Sequence, residues 1–143
     1  MKKLLIAAII SLSSVTTAAV AEVKVGIILG FTGPIESLTP AMRDGARMAF
    51  DEASNSGNLL GGETITILEA DSTCVDSAAA TAAAEQLVAD GVAAIMGADC
   101  SGVTGAINAN VAVPNGVLMV SPSATSPGLS KIADNGTFWR TAP

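Results

Sequence analysis

The sequence predicts an α/β fold, with an open parallel sheet and helices on both faces. Three observations predict it. Apolar strand-like runs alternate with helix-like segments four times, the connections between them are short, and the glycines and prolines lie at the joints. This alternation is typical of right-handed βαβ units, whose strands all point the same way.

The first half of the chain predicts two strands and two helices. Residues 23–29 are apolar apart from Lys24, which favours a strand buried on both faces. A helix is predicted over 39–55, because a threonine-proline start is followed by apolar residues at helical spacing. A second strand follows over 64–70, and Asp76 or the next residue caps an alanine-rich helix that ends before a glycine.

The second half predicts further strands and one weaker helix. The third strand is predicted over 92–96, and residues 101 to about 111 place apolar side chains at the spacing of a core-facing helix. An asparagine-glycine turn then leads into a fourth strand over 117–121, and Phe138-Trp139-Arg140 is a candidate start of a fifth.

Residues 1–21 have the layout of a secretory signal peptide, which makes Glu22 the expected mature N-terminus. Two lysines precede an apolar stretch, and small residues precede the expected cleavage point. The alternative is a membrane anchor, but hydroxyl side chains interrupt the run before it reaches the roughly 20 apolar residues that a span needs. Residues 22–143 are therefore expected to form the exported chain.

Composition and charge argue against several functions. Removing Lys2 and Lys3 reduces the 7 basic residues to 5, against 13 acidic residues, so the formal charge of residues 22–143 is −8. A chain with this negative charge binds nucleic acid and anionic membranes poorly, because both are negatively charged as well. The chain has no histidine, which removes the usual general base and the commonest metal ligand. No catalytic residue, metal site or cofactor is predicted.

Glycine motifs for phosphate binding are incomplete. Gly26, Gly30 and Gly33 lack the dinucleotide-binding spacing, and Val103 stands where a phosphate loop that opens at Gly97 needs lysine. A Rossmann-type enzyme therefore remains only an alternative, and a purely structural secreted domain is another.

Cys74 and Cys100 are the only cysteines. In an exported chain an even pair favours a disulfide over a nucleophile, and two thiols cannot complete a four-ligand zinc site. Closing a loop of this size is expected to stabilise the fold by roughly 3 kcal/mol.

The segments that follow the predicted strands are polar and small, and in this fold class ligands bind at those strand ends. They lie at 30–34, 71–74, 97–101 and 121–127, are rich in hydroxyl side chains and contain no lysine or arginine. Hydroxyls and backbone N–H groups at a helix start, such as that of Ser101, can hold a carboxylate. The alternative is that these serines and threonines are only helix caps and turn formers.

The order of several short motifs resembles one family, the branched-chain amino-acid-binding proteins of the leucine/isoleucine/valine-binding type. These are class I periplasmic binding proteins of ABC transporters. The resemblance covers residues 23–143. The motifs that carry it are Val25-Gly26-Ile27, Thr32-Gly33-Pro34, Arg43-Asp44-Gly45-Ala46, Gly61-Gly62, Asp71 before Cys74, Gly97 with Cys100-Ser101, Ser121-Pro122-Ser123-Ala124-Thr125-Ser126-Pro127, and Phe138-Trp139-Arg140-Thr141.

The resemblance implies a ligand site for an amino acid in a cleft between two lobes. Ser101 resembles the serine whose hydroxyl and N–H meet the ligand carboxylate, and Thr125 resembles a threonine that helps to hold the same end. Ser123 matches a residue whose carbonyl accepts from the ligand ammonium. The positions that line the pocket are Leu38, Asp99 and Ala124. An aromatic residue is expected near Leu38 and an apolar one near Asp99, so the ligand side chain is left open. Cys74 and Cys100 match the family's disulfide.

The resemblance also implies a role. Residues 22–143 are expected to be the N-terminal part of the first lobe, with the second lobe absent, and the protein is expected to act in the periplasm. There it would present an amino-acid-type ligand to the membrane permease of an ABC importer by hinge closure, without acting as an enzyme. A sensor lobe for an amide or urea-like ligand is the alternative within this fold.

Overall fold

A computed structural model describes residues 22–143, so the predicted signal peptide, residues 1–21, lies outside the described part. Strands and helices alternate as predicted. The elements are β1 (Glu22–Leu29), α1 (Thr39–Asn55), β2 (Thr64–Asp71), α2 (Ser77–Ala89), β3 (Ala94–Gly97), α3 (Ser101–Ile107), a π-helical turn (Asn108–Ala112), α4 (Val113–Asn115), β4 (Leu118–Ser121) and β5 (Phe138–Arg140), with short 3₁₀ turns at Leu59–Gly61 and Pro127–Lys131.

The five strands form one parallel sheet in the order β2-β1-β3-β4-β5. β1 lies between two neighbours, and its apolar residues Ile27, Ile28 and Leu29 are fully buried. A strand with helices on both faces needs an apolar side chain at every position, and the continuous apolar run meets that need. The predicted fold class and the fifth strand are confirmed.

Helices α2 and α3 cover one face of the sheet. The Asp76 carboxylate caps α2 by accepting hydrogen bonds from the N–H groups of Ala78 (2.9 Å) and Ala79 (3.0 Å). Leu87 of α2 is buried, and a Cβ on Gly26 would lie only 2.8 Å from its Cδ1. Because Gly26 has no side chain, Leu87 of α2 packs directly against β1.

Two strands begin later than the sequence predicts. β3 begins at Ala94 because the N–H of Val92 donates to the carbonyl of Leu87 at the end of α2 (3.2 Å). In the same way the N–H of Val117 donates to the carbonyl of Ala112 (2.9 Å), so β4 begins one residue later. These N–H groups complete the preceding helices and are not available to the sheet.

Helix α1 lies on the other face and covers it only in part. Its predicted apolar side is at most half-buried, and a cavity of about 350 Å³ remains beside Phe50, over β1, β3 and β4. Leu118 and Trp139 on this face are 42% and 63% exposed. The expected helices on both faces are present, but apolar sheet surface stays open next to α1. Within residues 22–143 no helix has the length and apolar character needed to cross a bilayer.

Candidate functional site

The segments that follow the strands meet at one edge of the sheet, because all five strands are parallel. We call the segments 30–38, 72–76, 98–100 and 122–126, which follow β1 to β4, the strand-end loops. They contain or adjoin every ligand contact predicted from the sequence. Cross-loop hydrogen bonds, one disulfide and two aspartates hold them together.

Ser101 is the first residue of α3 and is tied to the loop after β4. Its Oγ accepts a hydrogen bond from the N–H of Ser126 (3.0 Å). The hydroxyl proton of Ser101 has no acceptor within residues 22–143, so it can be donated to a ligand. The N-cap of α3 is Cys100, which makes no side-chain cap. Ser101 is therefore the first helical residue and not the cap, and its hydroxyl oxygen binds the loop after β4.

The loop after β4 places three predicted site residues in different ways. The hydroxyl of Ser123 donates to the carbonyl of Asp99 (3.0 Å), which joins the loops after β3 and β4. Ala124 is fully buried, and its N–H donates to Oγ of Ser121 (3.0 Å). Thr125 is exposed, and its hydroxyl has no hydrogen-bond partner among the described residues. Ser101, Ser123 and Asp99 are thus brought together, with Thr125 beside them.

Asp99 is turned inward, between the loops, and only 3% of it is exposed. Its Oδ2 accepts from the N–H of Gly30 (2.8 Å), and its Oδ1 accepts from the hydroxyl of Ser72 (3.3 Å) and the N–H of Cys100 (2.9 Å). The carboxylate therefore contacts the loops after β1 and β2, and its hydrogen bonds are made within the chain.

Leu38 lies at the end of the loop after β1, immediately before α1, and is 57% exposed. Its N–H donates to the carbonyl of Ile35 (2.9 Å) in the same loop. No hydrogen bond joins Leu38 to Ser101, Ser123 or Thr125, so it lies at this edge without belonging to the bonded cluster.

A disulfide joins Cys74 to Cys100, with the two Cα atoms 5.2 Å apart. The predicted pairing is confirmed. The bond connects the loop after β2 to the residue that precedes Ser101. It also lies against the start of the loop after β1, because a Cβ on Gly30 would approach Cβ of Cys74 to 3.1 Å.

A second aspartate, Asp71 at the end of β2, joins the first two loops. Its carboxylate accepts from the hydroxyl of Thr32 (2.5 Å), the N–H of Thr32 (3.3 Å) and the N–H of Thr73 (2.8 Å). Partial burial raises the pKa of Asp71, but these hydrogen bonds outweigh it, and the pKa lies below the ordinary value of 3.8. The contacts between Asp71 and the loops therefore favour the ionised form of its carboxyl group.

Arg140, at the end of β5, supplies a cation that the sequence interpretation did not place at this edge. Its Nη1 donates to the carbonyls of Ala124 (3.0 Å) and Ser126 (2.9 Å), and its Nη2 donates to the hydroxyl of Ser130 (2.7 Å). The guanidinium thereby fixes the loop that carries Ser123 and Thr125. The sequence predicted only that Phe138-Trp139-Arg140 begins a fifth strand, and in the structure that strand ends at Arg140 and pairs with β4.

Within 22–143 no group of three or more histidine, cysteine, aspartate or glutamate side chains is placed to hold an ion. The arrangement instead offers hydroxyls and backbone groups, which suit a small polar ligand.

Curated proteins that are similar to the chain include two named for the amino acids that they bind. It is 34% identical over 111 residues to the Leu/Ile/Val-binding protein BraC3 of Rhizobium johnstonii, with 78% of this chain and 29% of the relative covered. It is 31% identical over 129 residues to the leucine-specific-binding protein of Salmonella typhimurium, with 90% and 34% covered. The chain thus spans about a third of the length of these relatives.

The chain is also similar to solved structures of binding proteins. The branched-chain amino acid transporter substrate binding protein LivJ of Streptococcus pneumoniae, in complex with isoleucine, aligns with a TM-score of 0.75 at 30% identity, covering 84% of this chain and 33% of that one. The leucine binding protein LivK of Thermotoga maritima aligns with a TM-score of 0.71 at 28% identity, covering 82% and 32%. The family described as periplasmic binding protein matches residues 22–143. The chain, with its parallel sheet and its strand-end loops, therefore belongs to the periplasmic binding protein family.

Proposed function

We propose that the protein is the extracytoplasmic solute-binding component of an ABC importer and binds a branched-chain amino acid or a close relative at the strand-end loops. The relatives support this ligand class, since they are named for binding leucine, isoleucine and valine. The proposal includes export, cleavage of residues 1–21 and action in the periplasm on a membrane permease, with no bond made or broken in the ligand.

The observation that carries the proposal is the hydroxyl of Ser101. Its oxygen is held by the N–H of Ser126, and its proton has no acceptor within residues 22–143. A donor fixed in this way can meet a ligand carboxylate without first giving up another hydrogen bond. Such pre-organisation favours binding because less side-chain freedom is lost when the ligand arrives.

The neighbouring groups supply the other contacts that a zwitterion needs. Thr125 offers a second exposed hydroxyl for the carboxylate. The hydroxyl of Ser123 is occupied by the Asp99 carbonyl, so the backbone carbonyl of Ser123 is the group we assign to the ligand ammonium. We assign Ala124 and Asp99 to the support of this loop and Leu38 to the rim of the site.

The charge distribution favours a neutral zwitterion. The guanidinium of Arg140 is already engaged by two carbonyls and a hydroxyl, so the carboxylate must be held mainly by hydrogen bonds. Hydrogen bonds between a neutral group and a charged one contribute about 1.5 to 3 kcal/mol each. Losing one should therefore weaken affinity roughly tenfold or more.

The test is calorimetric titration of the protein, purified as it is naturally produced, with leucine, isoleucine and their amides. We expect the free acids to bind, and Ser101→Ala and Thr125→Ala to weaken binding roughly tenfold or more. Ser56→Ala is the matched control, since Ser56 follows α1 at the opposite edge of the sheet, and it should bind like wild type.

Two results would contradict the proposal. If both alanine variants bound the best ligand as tightly as wild type, these hydroxyls would not form the site. If the amides bound as well as the free acids, the carboxylate role would fall and the amide-sensor function would replace it.

A further inference from the structure

We infer that Asp99 is a positioning residue that holds the strand-end loops in the ligand-ready arrangement before the ligand arrives; this inference rests on the proposed function. The residue lies at the centre of the cluster. Its side chain accepts from Gly30 after β1 and Ser72 after β2, and its carbonyl accepts from Ser123 after β4. One residue of the loop after β3 thus contacts the loops of three other strands.

The chemistry of these contacts explains why an aspartate is needed. A carboxylate accepts through both oxygens, and here each oxygen receives a backbone N–H, from Gly30 on one side and Cys100 on the other. An asparagine amide offers only one accepting oxygen. Whichever way it turned, its NH₂ group would face a backbone N–H, so one of the two contacts would be lost.

The charge of Asp99 is balanced by hydrogen bonds. The ion pairs within residues 22–143 are Arg43–Asp44 and Arg47–Glu69, and both lie on or beside α1. Charge-assisted hydrogen bonds from N–H and hydroxyl donors are strong, and a nine-tenths buried carboxylate cannot exchange them for water. The loops are consequently held to Asp99 in the absence of ligand.

Asp99 is close to both proposed ligand contacts, to Ser101 in the sequence and to Ser123 through a hydrogen bond. Ser101 is two residues after Asp99, and the intervening Cys100 donates its N–H to the Asp99 carboxylate. Ser123, on the far side of the site, donates to the Asp99 carbonyl. Releasing Asp99 therefore releases both groups that we assign to the two ends of a zwitterion. Asp99 itself does not touch the ligand in this scheme.

The experiment compares wild type, Asp99→Asn and the control Asp90→Asn in the naturally produced protein. Asp90 lies at the end of α2, on the opposite edge of the sheet, where its carboxylate accepts from Gln86. Two quantities are measured, the affinity for leucine and the hydrogen-exchange rates of the Gly30 and Cys100 amides with and without leucine.

We expect Asp99→Asn to bind leucine about tenfold more weakly, which corresponds to about 1.4 kcal/mol. In this variant at least one of the Gly30 and Cys100 amides should exchange faster without leucine, and its exchange should slow when leucine is saturating. In wild type both amides should be protected in either state. A residue with a merely structural role would lower the melting temperature without making this protection depend on the ligand.

Four outcomes would overturn the inference, two of them in Asp99→Asn itself. Unchanged leucine affinity in Asp99→Asn, with faster exchange, would show that the loops need not be held. Weaker affinity with unchanged exchange would show that Asp99 contacts the ligand directly.

If Asp99→Asn did not fold, Ser72→Ala would replace it. This variant removes one hydrogen-bond donor to Asp99 and should weaken leucine binding about threefold; unchanged affinity would overturn the inference. Wild type that bound no amino acid would count against the proposed function, and wild-type amides that exchanged quickly without ligand would count against the positioning role.

Discussion

Removal of the Cys74–Cys100 disulfide should destabilise the protein by an amount that follows from its place in the chain. The bond closes a loop with a sequence separation of 26. For a loop of that size the chain-entropy relation gives about 3.5 kcal/mol at 25 °C, which is a large part of the stability of a typical domain. We therefore expect Cys74→Ala and Cys100→Ala each to lower the free energy of unfolding by about this amount.

The assay is equilibrium unfolding in urea, monitored by circular dichroism. Because either substitution alone removes the bond, the double variant should lose little more than each single variant, and this non-additivity separates the cross-link from local packing. The disulfide variants should also bind the proposed ligand more weakly, since Cys100 directly precedes Ser101. Additive losses, a loss below about 1 kcal/mol, or two free thiols in the native protein by mass spectrometry would refute the reasoning.

Two further predictions concern backbone space and acid stability. Gly97 has φ +134°, and a Cβ there would overlap the carbonyl oxygen of Ile28, so Gly97→Ala should cost at least about 2 kcal/mol in thermal unfolding, whereas Gly45→Ala in open space on α1 should be neutral or slightly stabilising. Because the pKa of Asp71 is lower in the folded state than its ordinary value of 3.8, its hydrogen bonds stabilise the folded state fully at pH values above 3.8. This stabilisation is lost as the pH falls below 3.8 and through the lowered pKa. The melting temperature should therefore fall less steeply in Asp71→Asn than in wild type over the acid range; equal slopes would contradict this.

The fold could be predicted because β1 is buried on both faces and the other strands follow it at regular intervals, separated by helices. A central parallel strand requires apolar residues along its whole length, and residues 23–29 are nearly all apolar. Glycines and prolines separate one element from the next. The predicted starts of β3 and β4 were less accurate. Valine is common in strands, but the N–H groups of Val92 and Val117 complete the ends of the preceding helices. That use depends on the path of the chain, which the local pattern does not contain.

The candidate site could be located from sequence, but its internal contacts could not. Parallel strands place their carboxyl ends at one edge, so the polar segments after β1 to β4 had to meet there. The contacts made by Asp99 and Arg140 join residues far apart in the chain. Asp99 bonds to Gly30 across 69 positions, and Arg140 bonds to Ala124 across 16. Side-chain direction decides such contacts, and residue type alone leaves it open.

The central claim, that the strand-end loops bind an amino acid, is tested most directly by the crystal structure of the naturally produced protein with isoleucine. We predict that a ligand carboxylate oxygen lies within about 3 Å of Oγ of Ser101 and that the ligand ammonium faces the carbonyl of Ser123. Isoleucine bound instead in the apolar cavity beside Phe50, or at the strand-end loops without contact to Ser101, would contradict the account.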